Sequence, residues 1–531
     1  MAESSRHDAD TVYQFLSRLA ALQPRSIAIR HKGRKDLDYS GLLATVNYIR
    51  QTLHDLGLGR NDRIAIVTPN GPEMALTLLG VMGCATCAPL NPKYTATEFE
   101  YYLTDLKIVA VIVHQEIQSA VRDVAEKLDI HLIELSAVDQ AGIGQIQLSV
   151  INGPNSDGIA GAILGDHGDA VNAEDIALVL HTSGTTSRPK IVPLTQRNVY
   201  TSAWNIVETL HLTGHDCCLN IMPLFHIHGI MAGLLSPLMS GGSVICSPGF
   251  SDDPFFVNQF LFWSQEMQPS WYTAVPSMHQ AILGCTNKYP KVTDQCHLRF
   301  IRSSSASLAP HIMLALEEAF KVPVIEAYGM TEASHQMASN PLPPTLRKPR
   351  SVGMAAGSVV AIMDDHGRML KTGEIGEIVI QGSNVMAGYE HNDAANKEAF
   401  SGEWFRTGDQ GYLDDDNYLF ITGRLKEFIN RGGEKISPRE IDEVLLEHPA
   451  VMQAVSFAIP HPTLGEVPAA AIVMREGQEV ESRALQDFVA KKLAAFKVPN
   501  RIVFVDEIPR GPTGKLQRIG LGEKLLAAGK L

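Results

Sequence analysis

The feature that most constrains the fold is a regular alternation of short apolar runs and longer helical patterns over residues 1 to about 350. Buried strands are predicted at 63–67, 109–113, 176–180, 270–275, 298–301 and 322–327. Helical patterns separate them, for example at 73–83, 196–210 and 311–320. This alternation predicts an α/β fold with two doubly wound layers, in which ligand-binding loops follow the carboxyl ends of strands.

The pattern changes after about residue 350. Short strands with glycine turns, at 376–382 and 418–422, predict a small β subdomain. A compact α+β region follows, in which a helix is predicted to begin with Ser437 as N-cap and Pro438 in its first position. Further strands are predicted at 454–458, 469–473 and 501–505, and a helix at 481–493. We therefore expect an N-terminal domain over 1–423 and a small C-terminal domain over 424–531.

The charge balance limits the classes of partner. The chain has 45 basic and 58 acidic residues, a formal net charge of −13. Because the global field repels polyanions, a nonspecific nucleic-acid binder is excluded. An anionic substrate must therefore be bound by a local cluster of donors.

Cysteine usage and hydropathy favour a soluble, cytoplasmic protein. Seven cysteines do not form a disulfide framework, and Cys84 and Cys87 lie in an apolar stretch that favours buried structural thiols. The first ten residues lack the apolar core of a signal peptide. The apolar segments 74–90 and 230–244 are interrupted by Gly, Thr, Ser and Pro, so no membrane span is expected. The tripeptide Gly-Lys-Leu at 529–531 differs by one residue from the Ser-Lys-Leu peroxisomal address, and an ordinary chain end is the alternative.

A loop of unusual composition follows the predicted strand 176–180. Residues 181–190 read His-Thr-Ser-Gly-Thr-Thr-Ser-Arg-Pro-Lys, a pattern that can present N–H and hydroxyl donors to a polyphosphate. The loop does not fit a Walker motif, because Pro189 stands five places after Gly184 and Ile191 follows Lys190. It therefore predicts a different kind of phosphate site.

Five further blocks follow this loop in the chain. They read Pro-Leu-Phe-His-Ile-His-Gly at 223–229, Tyr-Gly-Met-Thr-Glu at 328–332, Thr-Gly-Asp at 407–409, Gly-Arg-Leu-Lys-Glu-Phe-Ile-Asn-Arg-Gly-Gly at 423–433 and Pro-Thr-Gly-Lys at 512–515. Together with the loop, they resemble the adenylate-forming enzymes, which include acyl-CoA synthetases, nonribosomal adenylation domains and luciferases. One departure is Ile191, where that family usually has glycine.

The resemblance implies an ATP-dependent reaction that makes an acyl-adenylate and pyrophosphate, then an acyl-CoA and AMP. Catalysis of such phosphoryl chemistry is mainly positioning and charge neutralisation. Thr331 would donate to the α-phosphate, Glu332 would hold Mg²⁺, and Asp409 would accept the ribose hydroxyls beside Arg424. The remaining nucleotide site would comprise Thr182, Ser183, Gly184, Thr185, Thr186, Lys190, Tyr328 and Gly329.

The resemblance also implies a C-terminal domain that rotates between the two half-reactions. Lys515 would bridge the attacking carboxylate and the phosphate, the alternative being an ordinary solvated charge. Rotation about Lys426 would remove Lys515 and bring in the loop at 431–435, where Gly433 and Lys435 would line the path of the thiol. Free CoA is the expected thiol, and a carrier protein acting in trans is the alternative.

The acid pocket of this family lies among residues 226–229, 302–309 and Tyr328. The middle segment carries four serines, which suit a small polar acid, unless individual serines only cap a strand end. The runs at 271–276, 298–303, 305–310, 339–343, 429–438 and 494–499 look like those of plant and fungal oxalate–CoA ligases, although the cysteine often seen near Ser304 in that group is missing. This likeness implies that His228, Ser303 and Ser305 hold a second carboxylate, with His228 also catalytic.

Two alternatives to an oxalate–CoA ligase remain at this point. A medium-chain or aryl acyl-CoA ligase would keep every core motif. A catalytically inactive nucleotide-binding scaffold is a different class, but lost activity normally replaces charged groups. The expected charged groups are all present, namely Lys190, Glu332, Asp409, Arg424 and Lys515.

Overall fold

A computed structural model describes residues 11–138, 142–152, 171–182, 189–250, 254–510 and 516–531 of the chain. Within these residues the strands, in chain order, are β1 (Ile27–Arg30), β2 (Leu37–Asp38), β3 (Arg63–Val67), β4 (Thr86–Pro89), β5 (Ala110–His114), β6 (His131–Ala137), β7 (Ile146–Asn152), β8 (Ile176–His181), β9 (Ile191–Thr195), β10 (Cys217–Asn220), β11 (Ser243–Cys246), β12 (Trp271–Ala274), β13 (Phe300–Ser304), β14 (Val324–Met330), β15 (His335–Ser339), β16 (Met354–Ala355), β17 (Val359–Met363), β18 (Gly376–Gln381), β19 (Phe400–Ser401), β20 (Trp404–Leu413), β21 (Leu419–Arg424), β22 (Ile429–Arg431), β23 (Glu434–Ile436), β24 (Val451–His461), β25 (Gly465–Met474) and β26 (Arg501–Phe504).

The α-helices of the described residues are α1 (Val12–Leu22), α2 (Tyr39–Asp55), α3 (Pro72–Met82), α4 (Ala96–Asp105), α5 (Val121–Lys127), α6 (Gln196–Thr209), α7 (Ile227–Ile230), α8 (Ser236–Met239), α9 (Pro254–Met267), α10 (Pro276–Thr286), α11 (Pro290–Thr293), α12 (Pro310–Phe320), α13 (Asp393–Ala399), α14 (Pro438–Leu446), α15 (Ser482–Ala490) and α16 (Leu521–Ala527). Short 3₁₀ turns at Thr331–Ala333, Leu425–Glu427 and Ala495–Lys497 and a π-helical segment at Met231–Leu235 complete the regular structure.

Two large sheets form the N-terminal part of the molecule. One has nine strands in the order β16-β15-β14-β13-β12-β10-β11-β1-β2, and the other has seven in the order β7-β6-β5-β3-β4-β8-β9. Their central strands are parallel, and antiparallel strands close both edges. The central strands are largely buried, which explains why their sequences are mostly apolar rather than alternating. The prediction of two doubly wound α/β layers is confirmed.

One strand differs from its prediction in a way that matters for the site. The sequence predicts a strand that ends at residue 301, whereas β13 continues to Ser304. The parallel register explains the extension, because Ser303 pairs with Ala274 on β12 and Ser304 pairs with Ala327 on β14. The Ser304 hydroxyl donates to the carbonyl of Ala327 at 2.9 Å, so this polar residue is satisfied inside the sheet.

The later part of the chain forms two smaller sheets. Strands β17 to β21 make an antiparallel sheet, which confirms the predicted β subdomain. Strands β22 to β26 make a mixed sheet against which α14 packs. Ser437 and Pro438 occupy the N-cap and first positions of α14 as predicted, but the serine does not cap the helix. Its hydroxyl donates instead to the carbonyl of Thr422 on β21 at 2.7 Å.

The cysteines are all free and buried, as the sequence predicts for structural thiols. Burial raises the pKa of Cys84 to about 12, which keeps that thiol protonated and unreactive at neutral pH. Among the described residues, no helix has both the length and the apolar character that a membrane crossing requires.

Strand β14 also carries a buried carboxyl group close to α14. Glu326 is only 6% exposed, and its Oε1 accepts a hydrogen bond from the backbone N–H of Leu308 at 3.3 Å. Burial raises the pKa of Glu326 to about 7, and the charges that act on it are those of Arg439 and Glu443 on α14. The folded protein therefore favours the protonated form of this group.

This pKa makes folding stability depend on pH in a defined direction. Between about pH 4.5 and pH 7 the folded state binds more protons at Glu326 than the unfolded state, so the free energy of unfolding falls by up to about 3 kcal/mol as the pH rises. The substitution Glu326→Gln should remove this component. Urea unfolding at a series of pH values measures it, with the exposed Glu476→Gln as the matched control. Parallel pH profiles for wild type and Glu326→Gln would contradict the assignment.

Candidate active site

The turn between β14 and β15 brings several predicted site residues together. Tyr328 and Gly329 end β14, and Thr331 and Glu332 lie in the 3₁₀ turn that follows. Gly329 is required here, since a Cβ at this position would lie 1.7 Å from the carbonyl oxygen of His335 on the partner strand. The tight approach of the two strands thus fixes this group of side chains.

Asp409 is the centre of a hydrogen-bonded group on the β20–β21 pair. It lies directly opposite Arg424 in the antiparallel register, and Arg424 Nε donates to its Oδ1 at 2.9 Å. The Tyr328 hydroxyl donates to the other oxygen, Oδ2, at 2.5 Å. The charge of Asp409 raises the pKa of Arg424, so the guanidinium stays ionised. A carboxylate has about four acceptor sites, so Asp409 retains capacity to accept ligand hydroxyls.

Glu332 and Lys190 meet across the ring of Tyr389. The Tyr389 hydroxyl donates to Glu332 Oε1 at 2.8 Å, and Lys190 Nζ lies 4.3 Å from the centre of the same ring. Burial raises the pKa of Glu332. Burial also lowers the pKa of Lys190, and the positive charge of Lys426 lowers it further. A buried carboxylate beside a lysine suits the hard cation Mg²⁺ together with phosphate oxygens.

The described ends of the phosphate loop are held together by the backbone. Thr182 N–H donates to the carbonyl of Lys190 at 2.9 Å, and Lys190 N–H donates to Thr182 Oγ1 at 3.2 Å. The predicted residues Ser183, Gly184, Thr185 and Thr186 lie outside the described residues. Thr182 and Lys190 therefore lie side by side at the two ends of this loop. The contacts with phosphate stay a prediction.

The predicted acid side of the site is a cluster of buried polar side chains around His228. The imidazole Nδ1 lies 3.1 Å from Ser305 Oγ, and Nε2 lies 2.6 Å from Thr273 Oγ1. The ring stacks on His335 with 4.7 Å between centroids and 21° between planes. Ser303 Oγ is buried and has no hydrogen-bond partner within the described residues. The structure thus unites the predicted trio of His228, Ser303 and Ser305 in one region.

Sequence reasoning missed part of this cluster. His335 and Gln336 lie on β15, and Arg302 on β13 donates from Nη1 to His335 and from Nη2 to Gln336. Thr273, on β12, completes the group. The motif pattern gave no signal for His335 or Gln336, since they follow the Tyr-Gly-Met-Thr-Glu block. Arg302 opened the predicted pocket segment, but a single arginine in a serine-rich run had no assigned role.

The C-terminal part positions the remaining predicted residues. Lys426 lies in the short 3₁₀ turn directly after β21. Gly433 and Lys435 lie at the β22–β23 hairpin, where Gly433 has φ +96°. Lys515 lies outside the described residues, but Arg518, three positions later, bridges Glu427 at 3.0 Å and Asp442 at 2.9 Å. The segment that follows Lys515 is therefore tied to the turn that holds Lys426.

Comparisons with known proteins place this geometry in a family. The chain matches the AMP-binding enzyme family over residues 16–390 and the AMP-binding enzyme C-terminal domain over residues 440–515. It is 44% identical to a Humulus lupulus protein named "Probable CoA ligase CCL9" (97% of each chain) and 42% identical to the oxalate–CoA ligase of Arabidopsis thaliana (96% of this chain, 98% of the relative). The crystal structure of ATP-bound MatB from Rhodopseudomonas palustris has a TM-score of 0.84 at 27% identity, over 97% of this chain and 99% of that one.

The chain belongs to the AMP-binding enzyme family. Within it, the chain is an AMP-forming acid–CoA ligase, which acts on a small carboxylic acid with ATP, Mg²⁺ and CoA. The predicted superfamily, reaction class and cofactors are thereby confirmed, whereas the roles of individual residues stay predictions.

The close approach at Gly329 generates a testable prediction. Gly329→Ala places a methyl group against the His335 carbonyl, so β14 and β15 must separate and Tyr328 and Thr331 must move. A displacement of about 1 Å at a catalytic site costs about 100-fold in rate, and we expect at least that loss of kcat/KM in a pyrophosphate-release assay. The matched control is Gly284→Ala in α10, where an added Cβ meets nothing within 4 Å. Equal activity of the two variants would show that the strand contact does not set the site.

Proposed function

We propose that this chain is an oxalate–CoA ligase. The observation that carries the proposal is the polar character of the acid side, where His228 is bonded to Thr273 and Ser305 instead of facing an apolar tunnel. A pocket for an alkyl or aryl acid would be lined mainly by apolar side chains. The likeness to the Arabidopsis thaliana protein named oxalate–CoA ligase supports the same substrate.

In the proposed first half-reaction, one carboxylate oxygen of oxalate attacks the α-phosphorus of ATP and pyrophosphate leaves. Lys190 and the loop from Thr182 to Thr186 would neutralise the β and γ phosphates, and Thr331 would donate to the α-phosphate. Glu332 would hold Mg²⁺, which supplies positive charge to the phosphate oxygens when bound. Asp409, with Arg424 beside it, would accept the ribose hydroxyls.

The second half-reaction would follow a rotation of residues 424–531 about Lys426. The thiol of CoA attacks the carbonyl carbon of the adenylate, the bond to AMP breaks, and the thiol proton is lost. Rotation would withdraw Lys515 and present the hairpin of Gly433 and Lys435 to the pantetheine arm. We also propose residues 1–423 as the static domain. A cytoplasmic or peroxisomal location stays a prediction from the sequence alone.

The substrate assignment predicts a definite order of activities. Purified enzyme with ATP, Mg²⁺ and CoA should release pyrophosphate with oxalate, and kcat/KM for hexanoate or cinnamate should be lower by at least about 10⁴-fold. Such a ratio is expected because a monocarboxylate leaves the buried polar groups unpaired. Malonate tests whether the pocket accepts a longer diacid. Turnover of a monocarboxylate without turnover of oxalate would establish the medium-chain or aryl alternative instead.

The proposed rotation predicts that the half-reactions can be separated. Lys515→Ala should abolish adenylate formation from oxalate and ATP, because the bridging charge is lost. Thioester formation from presynthesised oxalyl-AMP and CoA should continue at a similar rate, as Lys515 would then be outside the site. Lys530→Ala is the control, since this exposed lysine lies outside the proposed site. Equal loss of both half-reactions in Lys515→Ala would contradict the two-orientation mechanism.

A further inference from the structure

The acid side contains a buried cation that no described carboxylate neutralises. Arg302 is fully buried on β13. Its Nη1 donates to Thr273 Oγ1 at 3.3 Å, to His335 Nε2 at 3.2 Å and to His228 Nε2 at 3.4 Å. Its Nη2 donates to Gln336 Oε1 at 3.1 Å. None of these acceptors is a carboxylate. Its Nε is buried and has no partner among the described residues.

This arrangement is costly for stability. Burial lowers the pKa of Arg302 to about 9, so the guanidinium still carries its charge at neutral pH. A buried charge without a counter-charge loses hydration that neutral hydrogen bonds recover only in part. An apolar side chain of similar volume would fill the same space without that cost. A ligand that brings a negative charge into the site would explain why this buried charge is present.

The hydrogen bonds of Arg302 also determine where the histidine protons lie. A guanidinium only donates, so Nε2 of His335 is an acceptor and its ring proton is on Nδ1. Arg302 Nη1 also lies 3.4 Å from His228 Nε2, so this nitrogen is an acceptor too, and it accepts the hydroxyl proton of Thr273, 2.6 Å away. The ring proton of His228 is then also on Nδ1, which lies 3.1 Å from Ser305 Oγ.

Both rings are neutral in this arrangement. Two imidazolium rings stacked 4.7 Å apart beside a guanidinium would repel each other and the arginine. The cluster thus combines a His228 Nδ1–H that faces Ser305 with the fixed positive charge of Arg302. An incoming carboxylate supplies the negative charge that the cluster lacks, and a neutral group of the same size does not.

We propose that Arg302 is the positioning residue of the acid pocket: it sets the tautomers of His228 and His335 and makes the pocket selective for a second, ionised carboxylate. This inference rests on the proposed function. It assigns the selectivity to the charge of Arg302, and not to the serines alone.

Oxalate and its monoamide, oxamate, separate this role from general folding effects. The two acids have nearly the same shape, but oxamate has a neutral amide where oxalate has the second carboxylate. Arg302→Met should lower kcat/KM for oxalate by about 10- to 100-fold, mainly through KM, because a charged hydrogen-bonded group is lost. The kcat/KM for oxamate should change by less than about 3-fold, so the variant should largely lose the preference for oxalate over oxamate.

Two more variants complete the experiment. Arg302→Lys keeps the charge but loses the planar donors, and it should recover part of the oxalate preference. Arg299→Met removes an arginine of similar sequence position that pairs with Asp216 outside the cluster, and it should leave the oxalate-to-oxamate ratio unchanged. Thermal unfolding of Arg302→Met should show an equal or higher melting temperature than wild type, because an uncompensated buried charge has been removed.

The outcomes distinguish this inference from the proposed function. A wild-type enzyme that does not use oxalate overturns the proposed function, and this inference with it. If the wild-type enzyme uses oxalate but Arg302→Met lowers kcat/KM for oxalate and for oxamate by the same factor, only the inference is overturned. The same result follows if Arg299→Met changes the ratio as much as Arg302→Met, or if Arg302→Met only unfolds while Arg302→Lys, recovered folded, shows no preference for either acid.

Discussion

The close contact between β14 and β15 is the constraint on which the site depends. Tyr328 and the turn with Glu332 belong to the proposed nucleotide side, and His335 belongs to the proposed acid side, only a few residues further along the chain. Because Gly329 permits the two strands to touch, the two halves of the site are held at a fixed separation. A reaction between two bound substrates gains most from such fixed relative placement, since orientation is settled before the bond forms.

The predicted site gathers positive side chains although the chain as a whole is negatively charged. The formal net charge is −13, yet Lys190, Arg302 and Arg424 are gathered around the places where anions are expected. Lys190 and Arg302 have pKa values lowered by burial, whereas the charge of Asp409 raises that of Arg424. The groups at the site therefore differ in how their charge is balanced: Arg424 has a carboxylate partner in the fold, and Arg302 has none among the described residues.

Sequence patterns were sufficient for the fold and for the order of the motifs, because buried parallel strands and phosphate loops depend on local composition. The strand β3 (Arg63–Val67) was predicted to the residue. The acid pocket was predicted only in part, because its members come together through strand register. Thr273, Arg302 and His335 are far apart in sequence and become neighbours only when β12, β13 and β14 pair in parallel and β15 returns antiparallel. A pattern read along one strand contains no information on such pairing.

The hydrogen bond from Ser437 to Thr422 spans the turn that contains Lys426. Arg439 on α14 donates to Ser307, which follows β13, at 2.8 Å. Leu446 adds an apolar contact to the core of the nine-stranded sheet. The neutral hydrogen bond from Ser437 contributes only about 1 kcal/mol net and the charged one from Arg439 about 1.5–3 kcal/mol, since water replaces each when it opens. Each of these contacts can therefore open at a small cost, as the proposed rotation about Lys426 requires.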